Sequence, residues 1–88
     1  MLSKVEVDVL QYLFKNQFNS KMNSQTIRDM SIIINLNYFR LRNIVGHLCQ
    51  LQLISLGYKD KNANSYYISP KAIEMIKKGD DIQSSPLG

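Results

Sequence analysis

Apolar side chains recur at two periods along the chain, and the point where the period changes separates a helical part from a β-hairpin. At the start, Leu2, Val5, Val9, Leu10 and Leu13 keep helical spacing, although Val5-Glu6-Val7-Asp8-Val9 alternates like a strand. Ser3 decides between the two. A serine followed three residues later by Glu6 makes a capping box, in which each side chain accepts from the other residue's backbone amide, so residues 4 to 16 are predicted as a helix. Residues 16 to 23 are polar and turn-rich, with Phe18 and Met22 as the expected anchors to the core. A second helix is expected from a cap at Asn23 or Ser24 through Ile27 and Met30. The run Ser31-Ile32-Ile33-Ile34 either finishes that helix or forms a buried turn, since β-branched side chains crowd one another on a helix.

The clearest periodicity follows. Asn35 or Asn37 offers a cap, and Leu41, Ile44, Val45, Leu48 and Leu51 recur at spacings of three and four, which predicts a third helix around Asn37 to Gln52 with these residues inward. The period then becomes two: Ile54, Leu56 and Tyr58 share one face of a strand, Tyr66 and Ile68 one face of another, with turn formers from Asp60 to Asn64 between them. Ser69-Pro70 starts a last helix, because proline at the first helical position gives up an amide that has no partner there anyway. Ala72, Ile73 and Ile76 turn inward, Lys77 and Lys78 meet the negative C-terminal end, and Gly79 stops the helix. The expected organisation is one domain over residues 1–79 and a flexible C-terminal tail over 80–88, mainly α with a small β-hairpin.

Composition narrows the class. With 88 residues and 44% hydrophobic content there is material for one core. The single cysteine, Cys49, excludes an intramolecular disulfide. No run approaches the roughly 20 apolar residues of a membrane span, and the N-terminus lacks the pattern of a signal peptide, so a cytoplasmic protein is expected. The net charge is +4, but its placement says more: residues 15 to 61 carry seven basic side chains against two acidic ones, an excess suited to a phosphate backbone. His47 and Cys49 lie two apart on a helix and face different ways, and no other histidine or cysteine completes a zinc site. No glycine-rich phosphate loop or serine–histidine–aspartate set is present, and the few acids show no pairing for acid–base work. Neither an enzyme nor a cofactor, metal or small-molecule ligand is therefore expected.

The order helix, helix, helix, strand, strand, helix, with Leu41, Val45, Leu48, Leu51, Leu53 and Ile54 leading from the third helix into the hairpin and Tyr66-Tyr67-Ile68-Ser69-Pro70-Lys71 leading into the last helix, resembles the winged helix-turn-helix family of the MarR, ArsR and PadR kind. The resemblance covers roughly residues 4 to 78. Two positions depart from the family pattern: Gln52 stands where glycine is usual, and the connection from Ile27 to Asn37 is about three residues longer. The resemblance implies a recognition helix that reads bases and a hairpin wing that grips the backbone.

Projected at about 100° per residue, the third helix places Phe39, Arg42, Asn43, Gly46 and Gln50 opposite its apolar side. Arginine suits guanine, asparagine suits adenine, and an aromatic edge suits the thymine methyl. Tyr38 and Arg40 flank the N-terminus of the helix, where free amides favour phosphate. Phe39 at that position equally suits a core or dimer contact. Lys59, Lys61, Asn62 and Asn64 cluster at the tip of the wing. These residues define the expected DNA-binding set. The expected function is sequence-specific binding of double-stranded DNA, as a bacterial transcriptional regulator or as a plasmid or phage factor acting at an origin of replication, partition or transfer. A homodimer is expected, because one small domain reads few base pairs. The alternative is a winged-helix adaptor that binds protein and no DNA.

Overall fold

Each helix of the chain begins on a side chain that supplies a missing backbone partner. In the computed structural model, which describes residues 2–79, the Ser3 hydroxyl accepts from the Glu6 amide at 3.2 Å while the Ser3 amide donates to Glu6 Oε1 at 2.9 Å. The capping box thus forms, and α1 spans Lys4–Lys15, with Asn16 as its C-cap. The loop after it differs from expectation: Phe18 is half-buried, its ring 6.1 Å from that of Tyr12, but Met22 is exposed and anchors nothing.

The second helix starts later than the sequence suggested. Gln25–Thr26 forms a short strand, β1, that pairs antiparallel with β3 (Ser65–Ile68), Gln25 opposite Tyr66 and Thr26 opposite Ser65. With those residues held extended, Asn23 and Ser24 cannot cap a helix; Ser24 instead bonds the Ser65 hydroxyl at 2.6 Å. Thr26 takes the cap, accepting from the Asp29 amide at 3.2 Å, and α2 runs Ile27–Ile34. The isoleucine run therefore completes a helix, and Ile32 and Ile33 face out. Asn35 closes α2 in the left-handed conformation at φ 63°, and Asn37 caps α3 (Tyr38–Gln50) by accepting from the Arg40 amide at 3.1 Å.

Leu41, Val45 and Leu48 of α3 are buried and Ile44 half-buried, but Leu51 is the C-cap and is exposed. Gln52 follows in the left-handed region at φ 64° and redirects the chain, so that Leu53 and Ile54 take the buried places. β2 (Ile54–Leu56) pairs antiparallel with β3, and the sheet has the order β1-β3-β2. Of the three residues expected to share one face of a strand, Ile54 and Leu56 lie in β2, Ile54 buried and Leu56 exposed; β2 ends before Tyr58, which is exposed and whose amide donates to the Lys21 carbonyl. Gly57 is required there, since a side chain would strike Ser24. At the tip, Asp60 and Ala63 exchange backbone bonds of 2.9 and 3.0 Å, and Lys61 and Asn62 both have positive φ, 50° and 71°, the geometry of a type I′ turn.

The last helix, α4 (Pro70–Lys78), begins and ends as expected, with Ser69 at the cap and Gly79 left-handed at φ 69°. The Ser69 hydroxyl accepts from the Ala72 amide at 3.2 Å and donates to the Gln52 carbonyl at 2.8 Å, which ties α4 to the turn after α3. The expected tail, residues 80–88, lies outside the described residues. Val9, Leu10 and Leu13 from α1, Ile27 and Met30 from α2, the three buried residues of α3, Leu53, Ile54, Ile68 and Ala72 form one core. No helix among the described residues is long and apolar enough to cross a membrane.

Candidate nucleic-acid interface

The burial of Leu41, Val45 and Leu48 fixes the rotation of α3 about its axis, and thereby decides which side chains project. Directly opposite that buried edge lie Phe39, Asn43, Gly46 and Gln50, all exposed. Arg42 is also exposed, but it lies about a quarter turn away, on the hairpin side. There it lines a cleft of about 390 Å³ with Thr26, Arg28, Tyr38, Asn64 and Tyr66. The cleft joins the start of α2, the first turn of α3 and the hairpin, and no acidic residue lines it. A more apolar depression of about 660 Å³ adjoins it, walled by Arg28, Ser31, Ile32, Tyr38, Phe39 and Ala63. The Tyr38 and Phe39 rings meet edge to face with centroids 5.2 Å apart.

Of the expected set, Tyr38, Arg42 and Asn64 are thus brought to one cleft. Phe39 stands beside it, and Asn43 and Arg40 are exposed on other sides of α3. Lys59 is not part of that group. It lines a separate hollow with Lys21, Met22, Ser24, Tyr58, Asp60 and Ser65, because successive residues of a strand point to opposite faces and Ser65 therefore looks away from Asn64 and Tyr66. Lys61 and Asn62 form the exposed tip itself. Arg28 lines the cleft although it was not in the expected set. Its charge was visible, but its position opposite Tyr38 depends on α2 starting at Ile27. Gly46 has nothing within 4 Å of where a side chain would begin, so no contact within the domain accounts for a glycine there.

The other side of α3 holds a polar contact that neither element reveals alone. His47 Nδ1 bonds Glu6 Oε2, joining α3 to the capping box of α1. Burial pushes the Glu6 carboxyl up, but hydrogen bonds from the Ser3 amide and from His47 outweigh it, and the group is held below its ordinary 4.5. His47 therefore has a structural partner on the flank of the helix away from the cleft. Cys49 is half-buried and its thiol is pushed up by that burial, away from the thiolate form that nucleophilic and metal-binding cysteines use. Among the described residues, no three histidine, cysteine or acidic side chains gather as metal ligands.

The chain matches no protein-family model, and neither the curated proteins nor the solved structures contain a significant match to it.

Proposed function

We propose that this chain is a winged helix-turn-helix domain that binds double-stranded DNA sequence-specifically, with α3 in the major groove and the hairpin as the wing. The observation that carries the reading is the acid-free cleft where Arg28, Arg42, Tyr38 and Asn64 converge beside a projecting, acid-free α3. Guanidinium groups and phenol hydroxyls so placed suit phosphate oxygens, while the projecting face of α3 stays free for base edges. The order of elements, with β1 closing a three-stranded sheet against the hairpin, fits the same reading. A domain of this kind acts by occupying its site, as a transcriptional regulator or as an origin-binding factor of a plasmid or phage, in the bacterial cytoplasm. We assign it a homodimer on a two-fold site, since one recognition helix covers only a few base pairs.

Titration of duplex binding against salt tests this. If five cations, Arg28, Arg40, Arg42, Lys59 and Lys61, each meet one phosphate, log affinity falls against log salt with a slope of about −4.5, and Arg28→Ala or Lys61→Ala reduces its magnitude by about one on every sequence alike. A flat salt dependence, or no duplex binding at low salt, rejects the proposal. One observation favours a second reading, that of a protein-binding adaptor: Ile32, Ile33 and Phe39 are 71%, 62% and 65% exposed around the junction of α2 and α3. Large exposed apolar groups gathered in one region suit a protein partner.

A further inference from the structure

We infer that the preferred target is a block of A·T pairs read through the major groove by Phe39, Asn43 and Gln50, with Arg42 acting on the backbone and not on a guanine. The inference rests on the duplex-binding reading given above and narrows it to a chemical class of site.

The argument begins with what α3 presents at greatest distance from the core. The stripe opposite Leu41, Val45 and Leu48 runs Phe39, Asn43, Gly46, Gln50, at spacings of four, three and four, and contains no charge. The helix rises about 1.5 Å per residue, so Phe39 and Gln50 stand about 16 Å apart along the axis, a span comparable with four or five base-pair steps. A carboxamide presents one acceptor and one donor side by side. Adenine offers the complement in the major groove, a donor at N6 and an acceptor at N7, whereas guanine offers two acceptors that an amide satisfies only by half. The 5-methyl of thymine is the one apolar group on that edge, and Phe39 is the one large apolar side chain on the stripe. Gly46, with open space around it, lets the backbone of α3 come closer to the groove floor than any side chain there would allow. The guanine-type reader on this helix is arginine, and both arginines are off the stripe. Arg42 turns to the cleft shared with Arg28 and Asn64, and Arg40 lies on the opposite flank, with His47. Two cations bracketing an uncharged reading edge match a groove whose rims are phosphate and whose floor is neutral.

The test alters the DNA and leaves the protein intact. Sites are selected from random duplexes, then remade with deoxyuridine for thymine, which removes only the 5-methyl, or with 7-deazaadenine for adenine, which removes only N7. We expect selected sites to contain a run of about five A·T pairs, and either replacement within the run to weaken binding about five- to tenfold. Phe39→Ala should abolish the response to deoxyuridine, and the double variant Asn43→Ala, Gln50→Ala the response to 7-deazaadenine. Tight binding with no A·T preference overturns the inference while leaving duplex binding in place. An A·T preference indifferent to both replacements also overturns it, by moving the reading to the minor groove. Absence of any duplex binding at low salt removes both the inference and the function beneath it.

Discussion

Gln52 and Glu6 are two residues at which a single side chain is out of keeping with its setting. Gln52 holds φ 64°, a conformation that costs a residue with a β-carbon about 1 kcal/mol relative to glycine. Its useful contacts are made by backbone: its amide donates to the Cys49 carbonyl at 3.0 Å and its carbonyl accepts from Ser69. Gln52→Gly keeps both and relieves the strain, so thermal denaturation should show a gain of up to about 0.5 kcal/mol after the greater freedom of glycine in the unfolded chain is counted. The reason lies in a backbone angle that composition does not display. Glu6 is the opposite case, a charge expected at a helix cap and found buried. Because its carboxyl is held below 4.5 in the folded protein, the unfolded chain binds the proton more readily, and stability falls as the pH drops from about 4.5 through the lower folded value. Melting temperatures measured from pH 7 to pH 3 should therefore decline more shallowly for Glu6→Gln than for the parent below pH 4.5. An unchanged slope would mean that neither the Ser3 amide nor His47 holds the carboxylate in solution.

At the scale of elements, α1, α3 and α4 were legible because each announces itself twice, by a capping side chain and by apolar spacing that agrees with it. α2 was legible only in its middle. Its start was set by β1, and a strand of two residues is too short to display a period, so Thr26 could not be told from its polar neighbours as the cap. The open space around Gly46 sharpens the role of α3. In a helix interior glycine is about 1 kcal/mol worse than alanine, and nothing inside the domain compensates for it. Gly46→Ala should stabilise the domain by about that amount in urea denaturation and weaken duplex binding in the same preparation. A variant that gains stability and keeps its affinity would show that nothing approaches α3 at this point.

At the scale of the whole molecule, all four helices and both strands of the hairpin contribute to a single core, so the parts stand or fall together. Leu48 is fully buried at the centre of α3, and Leu48→Ala should cost about 2–5 kcal/mol, a large share of the about 5–15 kcal/mol available to a folded protein. Circular dichroism and tyrosine fluorescence should report one shared transition at a lower midpoint; separate transitions would mean that the hairpin melts on its own. The sequence by itself determined most of the helices, the hairpin turn and the inward face of α3, because these follow from contacts among residues a few positions apart, whose energies periodicity and capping express directly. Only the tertiary structure decided that Arg28, Arg42, Tyr38 and Asn64 share a cleft, that Lys59 lies on the other face of the hairpin, that Met22 and Leu51 face outward, and that His47 meets Glu6. Those placements depend on how β1 pairs with β3 and on how α3 is rotated against α1, contacts between residues some forty positions apart that no local pattern encodes.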